Sequence, residues 1–224
     1  MDAARGKKRL NVILGSLATL FSVPAILTAA LLSGGCAMME PKAERYVAPP
    51  LGSSWVTAQR SMGSFGTGTA QVQSTRGERV WQGKQVITFA SQQGTIVSMP
   101  EGGFVAILGP GDKPMISWDP PISYDWPLTA GKTWTKTYRM TLADNRSIAY
   151  DNRCKVDAYE DVTVPAGTFK AFKVTCSTTI GDESTTWFSP ELGIFVKQSQ
   201  WRDANSPVGA GTRESELLSQ TIRK

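Results

Sequence analysis

The sequence predicts an all-β domain of mainly antiparallel strands, and three observations carry that reading. Between Arg153 and Thr179, two segments alternate apolar and polar residues around a Pro165-Ala166-Gly167 break, the period-two pattern of strands with one buried face. Trp134, Tyr138, Met140 and Leu142 share one parity, while Thr135, Thr137, Arg139 and Thr141 share the other. All seven tryptophans follow Cys36, and Thr and Val are frequent. That composition suits pleated surfaces better than helices.

Taken in order, residues 36–53 carry prolines and charges without periodicity, which predicts an extended, flexible tether. Residues 54–224 then form a single antiparallel β domain. Gly63 to Gly68 holds three glycines and reads as a loop. Arg79 to Ala90 places Trp81, Ile87 and Phe89 opposite Gln82, Lys84 and Thr88, as in one half-buried strand. Phe104-Val-Ala-Ile-Leu108 is a short apolar run between glycines, expected as a strand buried on both faces. Gly109-Pro-Gly-Asp-Lys113 lacks the spacing and the Ser/Thr of a phosphate loop, so it reads as a turn. Glu214 to Ile222 alternates poorly and is the one segment that could form a short helix.

The most sharply specified region is the hairpin. Cys154, Val156, Ala158, Val162 and Val164 share one parity, and Phe172, Val174 and Cys176 share a parity on the returning segment. Opposed residues of a hairpin have a nearly constant index sum, and the midpoint of Cys154 and Cys176 is residue 165, at the turn. Both therefore face inward at one level, at the Cα separation that a disulfide needs. A Cys154–Cys176 bridge is expected. Glu160 interrupts the inward alternation, which a β-bulge or an edge position accommodates.

The amino terminus addresses a compartment. Arg5-Gly-Lys-Lys-Arg9 precedes an apolar run from Leu10 to Leu32, and Ser33-Gly34-Gly35-Cys36 follows. A basic start, an apolar core and small residues form the physical signature of a secretory signal over residues 1–35. A cysteine in that place resembles the lipobox of bacterial lipoproteins, although Ser33 stands where that family prefers Leu. The resemblance implies cleavage before Cys36, a diacylglycerol on its thiol and an acyl chain such as palmitate on its new amino group. Ala37, rather than Asp, follows the cysteine, which favours the outer membrane in the enteric sorting convention. An uncleaved anchor in the inner membrane and a soluble periplasmic product are the alternatives, and all three export residues 40–224.

Charge and composition then narrow the function. Of 24 basic and 19 acidic residues, four and one lie within 1–35, leaving 20 against 18, a net of +2 with signs interspersed. Nucleic-acid binding needs a concentrated basic face and is set aside. Histidine is absent, which excludes the serine triad, the Cys-His pair and the two-histidine zinc helix. With Cys36 lipidated, two cysteines remain, too few for structural zinc. No cofactor, metal or catalytic residue is expected. Glu160-Asp161 and Asp182-Glu183 are acidic neighbours, but adjacent side chains on a strand point to opposite faces.

Three motifs occur in order: Trp126-Pro-Leu-Thr-Ala-Gly-Lys-Thr-Trp134, Tyr159 to Val174, and Thr186-Trp-Phe-Ser-Pro-Glu-Leu-Gly-Ile-Phe-Val-Lys197. Over about residues 120–200 the chain resembles uncharacterised exported proteobacterial β-sheet lipoprotein domains, similar to the half-barrels of lipoprotein-localisation factors. The resemblance implies a curved sheet, a half-barrel or open barrel, and brings no catalytic residues. The expected function is that of an envelope lipoprotein. Its non-catalytic β domain would bind an apolar ligand or another envelope protein and would be anchored to the membrane through Cys36. The alternative is a periplasmic enzyme using carboxylate or lysine chemistry. An open aromatic-lined hollow would favour a lipid ligand, and an exposed aromatic patch a protein partner.

Overall fold

The computed structural model describes residues 41–223; the signal segment, Cys36 and the first residues of the expected tether lie outside them. Fourteen strands run in order: β1 (Lys42–Ala43), β2 (Ser54–Gly63), β3 (Gly68–Trp81), β4 (Lys84–Ser91), β5 (Gly94–Ser98), β6 (Phe104–Leu108) and β7 (Pro114–Ile122). Then come β8 (Leu128–Thr129), β9 (Thr133–Leu142), β10 (Ser147–Val164), β11 (Gly167–Thr178), β12 (Asp182–Ser189), β13 (Ile194–Arg202) and β14 (Gly211–Thr221). A 3-10 turn at Pro110–Asp112 is the only helical element among the described residues.

Every strand but β1 and β8 joins a closed antiparallel barrel, in the order β10-β11-β12-β13-β14-β2-β3-β4-β5-β6-β7-β9. The expected curved sheet is thus present, and its edges meet. The seam is made by β14 on β2, from Gly211 opposite Gly63 to Thr221 opposite Ser54. Closure pairs most strands on both sides, but the turn end of the β10–β11 hairpin projects past its neighbours, since β9 pairs β10 only as far as Lys155 and β12 pairs β11 only from Phe172. At Gly63 the backbone takes φ +66, and a Cβ there would stand 2.3 Å from the Ala210 carbonyl oxygen, so the seam closes around a glycine.

The hairpin register is Cys154 opposite Cys176 and Val156 opposite Val174. The ladder then slips by one, with Ala158 opposite Lys173 and Tyr159 opposite Phe172. Asp157 is the extra residue of a bulge, and its carboxylate accepts the Thr175 hydroxyl at 2.6 Å. The bulge corrects the expected facing. Cys154, Val156, Phe172 and Val174 pack in one cluster. Val162, Val164 and Ala171 pack in another, on the opposite face of the unbulged β11. One inserted residue reverses every later side chain.

Three other expectations change. Gln82 (φ 48) and Gly83 (φ 76) form a two-residue turn between Trp81 and Lys84. The segment 79–90 is therefore a hairpin rather than one strand, because Gly83 supplies the positive φ that such a turn requires. Residues 214–222 belong to strand β14, held between β13 and β2. A register shift between Leu217 and Ser219 accounts for their poor alternation. Residues 41–53, read as tether, lie packed across one end of the barrel. Ala43 pairs with Leu128, Ala43, Pro49 and Ser53 are buried, and the Tyr46 hydroxyl donates to the Gly193 carbonyl at 3.3 Å.

The strand directions define two ends. Turns 165–166, 190–193, 99–103 and 82–83 lie at the first, with residues 41–53 and the 123–132 connection; this is the capped end. Turns 64–67, 92–93, 109–113, 143–146, 179–181 and 203–210 lie at the other, the far rim.

Candidate functional site

Along β9 to β12 the inward face carries Tyr138, Met140, Phe172, Val174 and Phe188, all buried, while Thr133, Thr135, Arg153, Lys155 and Thr175 face out and are exposed. Tyr124, in the β7–β8 connection, turns into this inward face. Its ring centroid stands 6.0 Å from Trp126, 6.0 Å from Trp134, 6.3 Å from Phe188 and 6.2 Å from Phe195, mostly edge-on. Offset and edge-on contacts at these distances are the favourable aromatic geometries. The Tyr124 hydroxyl is bonded to the Thr186 hydroxyl, which also reaches the Val174 carbonyl at 3.4 Å. Burial pushes the Tyr124 phenol well above the usual tyrosine range, against the opposing effect of Thr186. Tyr46 enters from the other side, 6.0 Å from Phe188, and burial pushes its phenol up to about 12. These rings fill the capped end of the barrel.

At the far rim the interior becomes polar. The Phe65 ring, in the β2–β3 turn, has the Arg202 guanidinium 3.8 Å and the Arg213 guanidinium 4.6 Å from its centroid. Arg213 donates through Nε and Nη2 to Gln200 Oε1 at 2.9 and 2.7 Å, and Arg202 Nη1 reaches Ser64 Oγ at 3.4 Å. Among the described residues, no carboxylate oxygen lies within 4.0 Å of either guanidinium. Burial pushes Arg213 down to about 10, with the charge of Arg202 adding to it. Asp182 sits nearby with its carboxyl raised above the ordinary range, chiefly by burial; the Ser206 hydroxyl and Arg202 oppose this. The arginines stand on the aromatic face as cation–π partners.

The structure joins Cys154 and Cys176 with S–S 2.07 Å and Cα–Cα 4.1 Å. The acidic neighbours do not converge. Glu160 accepts the Trp187 indole N–H at 2.8 Å, and Asp161 accepts Lys170 Nζ at 2.8 Å. Asp182 stands opposite Arg202 and Glu183 opposite Trp201 in the β12–β13 ladder, on successive positions that face opposite sides of the sheet. No group of three metal-ligating side chains occurs among the described residues. Two open hollows lie on the wall. One of about 510 Å³ crosses β13, β14, β2 and β3, with the Lys197–Glu216 ion pair beside it. The other, of about 570 Å³, lies over the disulfide, between Thr135, Arg153 and Thr175. Both are lined mainly by polar residues, with Ala58 and Ala70 in the first and Trp134 in the second.

The Tyr124 plug and the arginine–Phe65 stack are not legible in the sequence. Both depend on loop aromatics turning inward, and a loop has no periodicity to reveal direction. A run such as Ser123-Tyr-Asp-Trp-Pro127, rich in aromatics for a connection, is the signal that could have suggested the plug.

The DUF3108-like family model matches residues 129–211, from β8 to the start of β14. No curated protein matches the chain. Among solved structures, a candidate lipoprotein from Parabacteroides distasonis is 14% identical, with a TM-score of 0.43, over 80% of this chain and 99% of that one. A candidate exported protein of Bacteroides fragilis with a YmcC-like fold is 16% identical, with a TM-score of 0.44, over 80% and 100%. The hypothetical lipoprotein YmcC from Escherichia coli is 14% identical, with a TM-score of 0.43, over 75% and 84%. At these identities and scores, no residue role passes from them to this chain.

Proposed function

We propose that this chain is an exported envelope lipoprotein, lipidated on Cys36 and held at the outer membrane facing the periplasm. Its barrel is a non-catalytic body that binds another envelope protein. The observation that carries the choice of partner is the aromatic packing that fills the capped end. Tyr124 and Tyr46 occupy the aromatic end that an acyl chain would need, and a ligand site requires an enclosed, largely apolar hollow. Apolar surface remains outside instead. Trp201 and Met62 are 45% and 60% exposed, and Thr212 lies between them on one ladder row. Exposed aromatic and methionine side chains are characteristic of protein interfaces.

A photo-crosslinking amino acid at position 201 or 62 of the full chain, activated in living cells, tests the reading. A discrete protein adduct is the expected result. Adducts to lipid alone, or lipid copurifying with the intact protein, would transfer the proposal to an apolar ligand.

A further inference from the structure

We propose that the capped end of the barrel rests on the bilayer, with Val47 and Leu51 entering the lipid interface and the far rim held away from it. This rests on the lipidation of Cys36 proposed above. The first argument is the length of the leash. In the sequence, residues 37–41 separate Cys36 from β1. The six residue steps from Cys36 to Lys42 reach at most about 22 Å. The barrel wall is longer: the nine residues of β13 and ten of β2 extend about 30 Å along their own axes. A lipid at residue 36 therefore brings the capped end to the headgroups first.

The second argument is what that end exposes. Val47 and Leu51 are each 58% exposed, although both belong to a segment whose Ala43, Pro49 and Ser53 are buried. The segment is immobilised beneath them. Tyr46 bonds to Gly193, the Gly52 N–H donates to the Arg76 carbonyl at 3.0 Å, and the Arg223 N–H donates to Ser53 Oγ at 3.0 Å. Two apolar side chains are thus presented from a fixed support, so their insertion costs no further ordering of the chain. Arg45 and Arg223 are exposed at the same end, and neither has a carboxylate within 4.0 Å among the described residues. Glu101 and Glu191 are exposed there too, so there is no broad basic patch. The apolar pair carries the contact, and the arginines are placed to meet anionic headgroups.

The test uses the full lipidated protein in vesicles of phosphatidylethanolamine and phosphatidylglycerol. Single cysteines at Val47, Leu51 or Met62 carry an environment-sensitive fluorophore. With headgroup-level nitroxide lipids, the probes at 47 and 51 should lose most of their fluorescence, and the probe at 62 should keep it. All three wild-type side chains are exposed, so labelling leaves the fold intact, which circular dichroism checks. Mass spectrometry of Cys36 separates the two ways of failing. Lipidated protein whose probes at 47 and 51 stay unquenched overturns the docked cap while the lipoprotein reading stands. An unmodified Cys36 removes the premise and overturns both.

Discussion

The Tyr124 hydroxyl is bonded to that of Thr186, a contact between a loop at the barrel's mouth and the middle of strand β12. Through it the 123–132 connection becomes part of the core, and the aromatic end of the barrel is filled. Tyr124→Ala should destabilise the protein by about 3–5 kcal/mol, the range for deleting a packed aromatic ring. Tyr124→Phe keeps the ring and should cost about 1 kcal/mol for the lost hydrogen bond. Urea unfolding distinguishes the two. If the Ala variant unfolds like wild type, Tyr124 is not a structural plug.

The Cys154–Cys176 bridge closes a loop with a sequence separation of 22. Constraining the unfolded chain to that extent contributes about 3 kcal/mol. Reduction should lower the unfolding midpoint accordingly without abolishing the fold, because the clusters on both faces of the hairpin remain. Free-thiol titration of denatured, unreduced protein should find neither cysteine reactive; two reactive thiols would contradict the pairing.

Deleting Asp157 should be more damaging than its exposure suggests. Removing one residue at the bulge would move Ala158, Val162 and Val164 to the other face of the sheet. Asp157→Ala keeps the bulge and loses the Thr175 hydrogen bond and the partly exposed Lys155 ion pair, a change of about 1 kcal/mol. The deletion should instead prevent folding or leave a poorly cooperative transition by circular dichroism. Equal stability of the two variants would refute the reversal of facing.

Asp182 offers a pH signature. Burial raises its folded carboxyl above the ordinary 3.8, so the folded state favours the neutral acid. Stability from this group is present below the unfolded value and is lost as pH rises through the folded value. Asp182→Asn should therefore be more stable than wild type at pH 7, and the difference should vanish well below 3.8. Stability curves across that range check the sign. A variant less stable at pH 7 would mean that the attraction to Arg202 outweighs burial.

Cys36→Ser tests the anchor. The variant should leave the membrane fraction and appear as uncleaved precursor or soluble product. If it remains with the membranes through an uncleaved apolar segment, a transmembrane anchor replaces the lipid.

The strands were legible where a residue's neighbours alone decide its environment. Alternation in 134–142 and in 153–179 identifies the strands because a pleated chain turns successive side chains to opposite faces, a local rule. The pairing of Cys154 with Cys176 itself depends on the bulge: from the turn to Ala158 the numbers of opposed residues sum to 331, and only past Asp157 does the sum become the 330 of the two cysteines. Tertiary structure decided the facing of the residues beyond Asp157, since one inserted residue changes no local propensity yet reverses Val162 and Val164. It also decided that β14 is a strand, because its partners β13 and β2 stand on either side of it only once the barrel closes. The aromatic interior was decided in the same way. Composition announces many Trp, Tyr and Phe residues but says nothing about whether they surround a space or occupy it, and only the inward turn of Tyr124 settles that they occupy it.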